Sequence, residues 1–170
     1  MKITAFKSTR SLLSTTNSYK KASSLGSDRW AQIVAARNIF EKDCLIVSCG
    51  SAISLDFVTN DGAHKGGLLL SGAERYIKCF SDIHNLKNFK LTQTKKNNLL
   101  QTDTAEQINV GYRTMISLSV HKVYEEFKKN TRFIKIIYKK WDKNMGIGYS
   151  LNEGIKMCNN LSLIHISEPT

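Results

Sequence analysis

Proline is nearly missing from this 170-residue chain, which holds a single one, Pro169. Helices and strands before that point therefore meet no proline break. Acidic residues are also scarce, 14 against 25 Lys and Arg, leaving a formal net charge of +11. No apolar run approaches the roughly 20 residues that a membrane-spanning helix requires. Residues 1–21 scatter Lys and Arg without a compact apolar stretch or a small-residue cleavage site, so no secretory signal is expected and a cytoplasmic location is. The four cysteines, Cys44, Cys49, Cys79 and Cys158, form no C-x-x-C pair and have no His at metal-ligand spacing, so buried free thiols are expected rather than zinc or disulfides. The basic excess is spread along the chain, without the aromatic-basic alternation of a base-stacking surface, and nucleic acid is not the expected partner.

What is present suffices for one globular domain: 41% of residues are hydrophobic and 9% aromatic. Residues 1–25, rich in Ser, Thr and Lys, show no sustained period and read as loop or a short edge strand. An N-cap at Ser27 or Asp28 opens a helix in which Trp30, Ile33, Val34 and Phe40 recur at helical spacing, ending near Glu41 and Lys42. Cys44 to Ser48 reads as a buried strand. After the turn Cys49-Gly50-Ser51, the segment Ile53 to Val58 alternates Ile53, Leu55 and Phe57 against Ser54 and Asp56. A turn at Asn60-Asp61-Gly62 leads to a third strand through His64 to Leu70, and a helix follows from about Ala73 to Phe80. The unit is β-β-β-α.

Residues 85–102 are a polar, basic connection, after which Thr104 and Gln107 make a capping box for a long helix. Its stripe is Ile108, Gly111, Met115, Ile116, Val120, Val123 and Phe127, which suits either a core face or a partner. Phe133 to Tyr138 reads as a further strand, with a short helix opened by Ser150 and Glu153. The last ten residues, Leu161 to Thr170 (LSLIHISEPT), match in frame the translation of a transposon-end adapter used in preparing sequencing libraries and are expected to be an artefact outside the natural protein.

Two segments carry the chemistry. Gly26-Ser27-Asp28-Arg29-Trp30 sets a flexible backbone, a carboxylate and a guanidinium at a helix start, where oxyanions and hydroxyls bind readily. The helix dipole keeps such a carboxylate ionised, so Asp28 can accept a proton from a substrate hydroxyl while Arg29 orients a polar ligand. Plain capping with a surface Arg accounts for the same residues. In Cys49-Gly50-Ser51-Ala52, glycine allows close backbone approach and the Ser51 hydroxyl can bond a phosphate oxygen, although a hairpin turn needs no more than this. Gly66-Gly67 suits a bulge or close packing. His64 and His84 have no spaced partner and read as hydrogen-bonded structural histidines.

Taken in order, NSYKKASSLGSDRWAQIVAA, CLIVSCGSAISLDFV, DGAHKGGLLLSG and QTDTAEQINVG resemble the type III pantothenate kinases, the family that includes the Bvg accessory factor, from about Thr16 to Phe127. The resemblance implies the ribonuclease-H-like α/β fold of the actin, heat-shock 70 and sugar kinase superfamily, incomplete here. It divides the chain into a remnant of an N-terminal domain and linker (1–25), a C-terminal substrate and dimerisation domain (26–160) and the adapter-derived tail (161–170), truncated at both ends. It implies transfer of the γ-phosphoryl of ATP to the terminal hydroxyl of pantothenate, the first step of coenzyme A synthesis, with Mg2+ and a monovalent cation, K+ or NH4+, in a homodimer.

By motif, the resemblance makes Asp28 the proton acceptor, Gly26, Ser27, Asp28 and Arg29 the substrate-contacting segment, and Tyr19 and Thr104 further pantothenate contacts. Ser51 stands where the family has an ATP-contacting Thr. Ser48 stands where the family holds its cation with Asp, so no metal ligand is expected. Nothing in Met1 to Lys21 matches the family's phosphate loop, Tyr138 to Asp142 lacks its Thr-Gly-Gly-Asp-like turn, and Ser71-Gly72 replaces Pro-Gly. These departures leave a catalytically inactive binding or regulatory module as the alternative.

Overall fold

The computed structural model describes residues 6–80, 89–91 and 98–129 in full, and the backbone of Ile134–Lys139 and Leu163–Ile166. A small hairpin, β1 (Ser11–Leu12) and β2 (Thr15–Thr16), is followed by a 3-10 turn at Ala22–Ser24 and helix α1 (Ser27–Phe40). Strands β3 (Asp43–Cys49), β4 (Ala52–Val58) and β5 (His64–Ser71) lead to α2 (Ala73–Lys78), α3 (Thr104–Lys128), β6 (Ile134–Lys139) and β7 (Leu163–Ile166). The larger sheet runs in the order β5-β4-β3-β6-β7, with β3, β4 and β5 antiparallel and β6 and β7 parallel to β3. An antiparallel meander extended by parallel strands is the ribonuclease-H-like arrangement, and the expected β-β-β-α unit is β3-β4-β5-α2. Strand β7 lies within the tail set aside above.

Successive side chains along β3 and β4 point to opposite faces, and helices cover both. On one face Trp30, Ile33, Val34 and Ala36 of α1, with Leu25, pack on Cys44, Ile46 and Val58. On the other, Ala73 of α2 and Ile108, Tyr112, Ile116, Val120 and Tyr124 of α3 pack on Leu45, Val47, Cys49, Ile53, Leu55 and Phe57. The α3 stripe is thus used as core. Two-sided covering also buries the polar positions of β4: Ser54 and Asp56 are only 5% and 2% exposed.

The helix starts differ from expectation. Gly26, not Ser27 or Asp28, is the N-cap of α1, and its carbonyl accepts the Trp30 N–H at 2.9 Å. A Cβ on Gly26 would stand 2.7 Å from Asp28 Oδ1, so the carboxylate folds back into room that only glycine leaves. Asp103, not Thr104, caps α3, its carboxylate accepting the Glu106 N–H at 3.0 Å, since a carboxylate takes that bond more strongly than a hydroxyl. Helix α1 ends at Phe40 because Glu41 turns left-handed (φ 49°), and α2 ends at Lys78, short of Phe80. Cys44 and Cys49 are buried free thiols, and burial pushes the Cys49 thiol up to about 12, whereas Cys79 is exposed. Cys158, His84, the expected helix at Ser150 and most of the 85–102 connection fall outside the described residues. Among the described residues no helix is long and apolar enough to cross a membrane.

Candidate functional site at the start of α1

Gly26, Ser27 and Asp28 are exposed at the first turn of α1, where unpaired backbone N–H groups favour an anion or a hydroxyl oxygen. Among the described residues the Asp28 carboxylate takes no hydrogen bond. Arg29, expected either to orient a ligand beside it or, with plain capping, to lie at the surface, turns inward and is 8% exposed.

Its destination is Asp56 on β4. Arg29 Nε donates to Asp56 Oδ2 at 2.8 Å and Nη2 to Oδ1 at 2.6 Å, a two-pronged contact that fixes the guanidinium plane. The remaining nitrogen, Nη1, donates to the Tyr19 hydroxyl at 3.1 Å, and the guanidinium carbon lies 5.9 Å from the Tyr19 ring centre. From the other side, His64 Nε2 stands 3.1 Å from Asp56 Oδ1. A carboxylate only accepts, so Nε2 carries the proton of that bond. His64 Nδ1 lies 3.3 Å from Ser18 Oγ, and the His64 and Tyr19 rings stack with centres 6.1 Å apart. The hydrogen-bonded structural histidine expected at position 64 is what the structure contains.

Burial by itself would raise the Asp56 pKa, but hydrogen bonds from His64 and Arg29 and the Arg29 charge overcome it and hold the carboxyl below the usual carboxylate range. Burial likewise works against the Arg29 charge and is outweighed by Asp56. A carboxyl with a lowered folded pKa stabilises fully above its unfolded value of about 3.9, and that contribution drains away as pH falls through the folded value. Urea midpoints measured from about pH 7 down to about pH 2.5 are expected to show Asp56→Asn less stable than the parent at neutral pH and losing less below about pH 4. Parallel acid limbs in the two proteins would contradict the pairing.

Tyr19 sits on a loop, as expected within residues 1–25, and that loop is anchored. The Arg10 guanidinium donates to the carbonyls of Asn17, Tyr19 and Lys20 at 2.7, 2.8 and 2.8 Å. Buried Asn17 donates through Nδ2 to the Thr9 and Ala22 carbonyls and accepts the Tyr19 N–H at its Oδ1. Tyr19, Gly26, Ser27, Asp28 and Arg29 are therefore brought together, with Asp56 behind them.

The other expected site residues are placed apart. Ser48, half-buried at the end of β3, pairs in register with Ser54 on the α1 face. Ser54 and Asp56 are two residues apart on one strand, about 7 Å at strand spacing. Ser51 is exposed in the turn beyond, and no described contact joins it to Asp28. Thr104 begins α3 on the opposite side of the sheet, where it lines a hollow of about 260 Å³ with Tyr76, Phe80, Gln107 and Ile108. Among the described residues no contact joins Asp28, Ser51 and Thr104, and α1 and α3 cover different faces of the sheet. Asp56 and Ser18 were not anticipated as parts of the site. The available signal is one carboxylate inside the mostly apolar run Ile53 to Val58, which demands a cation if both sheet faces are covered.

Known proteins align with the same segments. The family model described as type III pantothenate kinase matches residues 1–126. A type III pantothenate kinase of Nitrosococcus oceani is 34% identical over 127 residues, covering 69% of this chain and 47% of the relative. That of Dichelobacter nodosus is 33% identical over 113 residues, covering 65% and 44%, and that of Azoarcus sp. is 41% identical over 58 residues, covering 34% and 22%. The chain spans about half the length or less of these curated relatives.

Proposed function

Because the chain belongs to the type III pantothenate kinase family, we propose that it holds pantothenate at the start of α1 and serves transfer of the γ-phosphoryl of ATP to that molecule's terminal hydroxyl, yielding 4'-phosphopantothenate. The observation that carries the reading is the exposed Asp28 carboxylate, without a partner among the described residues, on the residue that precedes Arg29, whose guanidinium is fixed against Tyr19. Phosphoryl transfer depends on positioning and charge stabilisation more than on a strong base, so an ordinary carboxylate within reach of the hydroxyl suffices. Asp28 accepts the hydroxyl proton as the oxygen attacks. Gly26 and Ser27 offer backbone N–H groups and a hydroxyl to the same substrate, and Tyr19 and Arg29 form the wall behind it.

ATP belongs on the side of Ser51, whose exposed hydroxyl can meet a phosphate oxygen, and Mg2+ carried by the nucleotide supplies charge neutralisation on the transferring group. The monovalent cation is another matter. Ser48 offers a neutral oxygen in place of a carboxylate, a poor fit to that ion, and no step here passes through it. Thr104 enters the reading on family resemblance alone. A cytoplasmic homodimer completes the proposal, with sedimentation at twice the 19.2 kDa chain mass as its check.

Calorimetric titration with pantothenate tests the site. Saturable binding at one site per chain is expected, and the absence of any binding heat at millimolar ligand would reject it.

A further inference from the structure

We infer that Asp56, clasped by Arg29 on one side and His64 on the other, is a positioning residue that sets the Tyr19–Arg29 pair beside Asp28. The inference rests on the reading of the α1 start as the substrate site. In that reading Asp56 and His64 touch no substrate themselves and act through Arg29 and Tyr19.

The first argument is energetic. A buried ion pair gains little over a well-packed apolar pair, because removing two charges from water offsets most of their attraction. Stability alone therefore gives weak reason for a carboxylate at 2% exposure in the middle of β4. Orientation gives a stronger one. Asp56 occupies Nε and Nη2 of the guanidinium together, so the plane of Arg29 cannot rotate, and Nη1 is left aimed at the Tyr19 hydroxyl. Arg29 is also the next residue in the chain after Asp28, so a shift of its backbone moves the proposed proton acceptor.

The second argument is that β5 is shaped to the carboxylate. Gly67 is the register partner of Asp56, and a Cβ there would stand 2.7 Å from Asp56 Oδ1 and 2.1 Å from the Leu55 carbonyl oxygen. One residue earlier the register slips between Phe57 and Val58, with Gly66 at φ 100°, a conformation that favours glycine. The slip passes over Lys65, which stays exposed, and brings His64 opposite Val58 on the Asp56 face. Without it the register would place Lys65 there. His64 then joins Asp56 to Ser18, the neighbour of Tyr19, closing a loop of contacts from β4 through β5 to the Tyr19 segment and back through Arg29.

The test uses the full chain labelled with 15N, with pantothenate as the probe. In the parent, the Arg29 Nε–H resonance is expected to exchange slowly with water, and Asp56→Asn is expected to abolish that protection. Because Asp56→Asn leaves a buried guanidinium unpaired, two milder variants accompany it. His64→Leu keeps the bulk and removes the donor, and His64→Gln retains one. His64→Leu is expected to weaken pantothenate binding about tenfold, less than the roughly hundredfold that a misplacement of about 1 Å can cost in rate, and His64→Gln to restore most of the loss. Persistence of the protected Arg29 signal in Asp56→Asn overturns the inference. So does binding by His64→Leu within twofold of the parent, or an equal loss in both His64 variants. If the parent itself fails to bind pantothenate, the proposed function falls and the positioning role falls with it; loss of the Arg29 resonance in Asp56→Asn then reports only the pairing of the two side chains.

Discussion

Asp28→Asn is expected to reduce turnover of pantothenate and ATP by about a hundredfold or more while leaving the melting temperature within about 2 °C of the parent. The two halves of that expectation have separate causes. Asp28 is exposed and bonded to nothing else among the described residues, so its replacement removes no packing and one favourable but solvent-screened interaction with the α1 dipole. Asparagine has the same shape and can still hydrogen-bond the substrate hydroxyl, but it cannot take a proton at neutral pH. General-base assistance is commonly worth about 10²–10⁴ in rate, and the loose transition state of phosphoryl transfer draws on the base late, which favours the lower end. A coupled assay of ADP release with a parallel thermal melt reads both quantities. An unchanged rate would remove Asp28 from the chemistry, and a collapsed melt would show that the carboxylate is a structural cap after all.

The second large effect lies in the core beneath that site. Trp30 is fully buried, at 0% exposure, on the face made by Cys44, Ile46 and Val58, and it follows Asp28 and Arg29 in the same helical turn. Trp30→Ala is expected to cost about 3–5 kcal/mol, the usual range for emptying a large aromatic site. Against a typical total of about 5–15 kcal/mol, that is enough to leave part of the population unfolded at 37 °C. Among the described residues the indole Nε1 has no hydrogen-bond partner. Trp30→Phe discards that unsatisfied donor along with some apolar area, so the two changes oppose each other and the loss is expected to stay near about 1 kcal/mol. Urea unfolding of both variants separates the terms. A loss below about 1 kcal/mol for Trp30→Ala would mean that α1 does not rest on β3 and β4 as described.

Much of the architecture is legible in the order of residues. Helix α1 and strands β3 to β5 follow from local periodicity and from the turns at Gly50 and Gly62, where short-range preferences and the final fold agree. What is not legible has more than one cause. Ser54 and Asp56 alternate with Ile53, Leu55 and Phe57 as a solvent-facing row would, and only the placement of α1 over that face makes the same alternation a buried one. Periodicity within a strand cannot report what covers it. Capping preference points to Ser27 or Asp28, the better capping types, whereas the structure caps α1 at Gly26, one or two residues earlier, and leaves Asp28 free to fold over it.

The candidate site was legible in the same uneven way. Family motifs pointed to Tyr19 and to Gly26 through Arg29, and the structure gathers these residues. Asp56 was hidden because its partners, Arg29 and His64, lie far away in sequence on one side and across a register slip on the other. Arg10 and Asn17 stiffen the Tyr19 segment through side-chain bonds to backbone carbonyls, which leave no periodic trace. Thr104 illustrates the converse. Its motif aligns, but the choice of sheet face by α3 is a tertiary matter, and it separates Thr104 from Asp28 within one chain.

The claim on which the functional account rests is that pantothenate sits at the mouth of α1. Backbone amide chemical shifts of the 15N-labelled chain, followed during titration with pantothenate, address it directly. Perturbations concentrated at Tyr19 and at Gly26 to Arg29 are the predicted result. Saturating shifts gathered around Thr104 and Phe80 instead, with Gly26 to Arg29 unmoved, would contradict it.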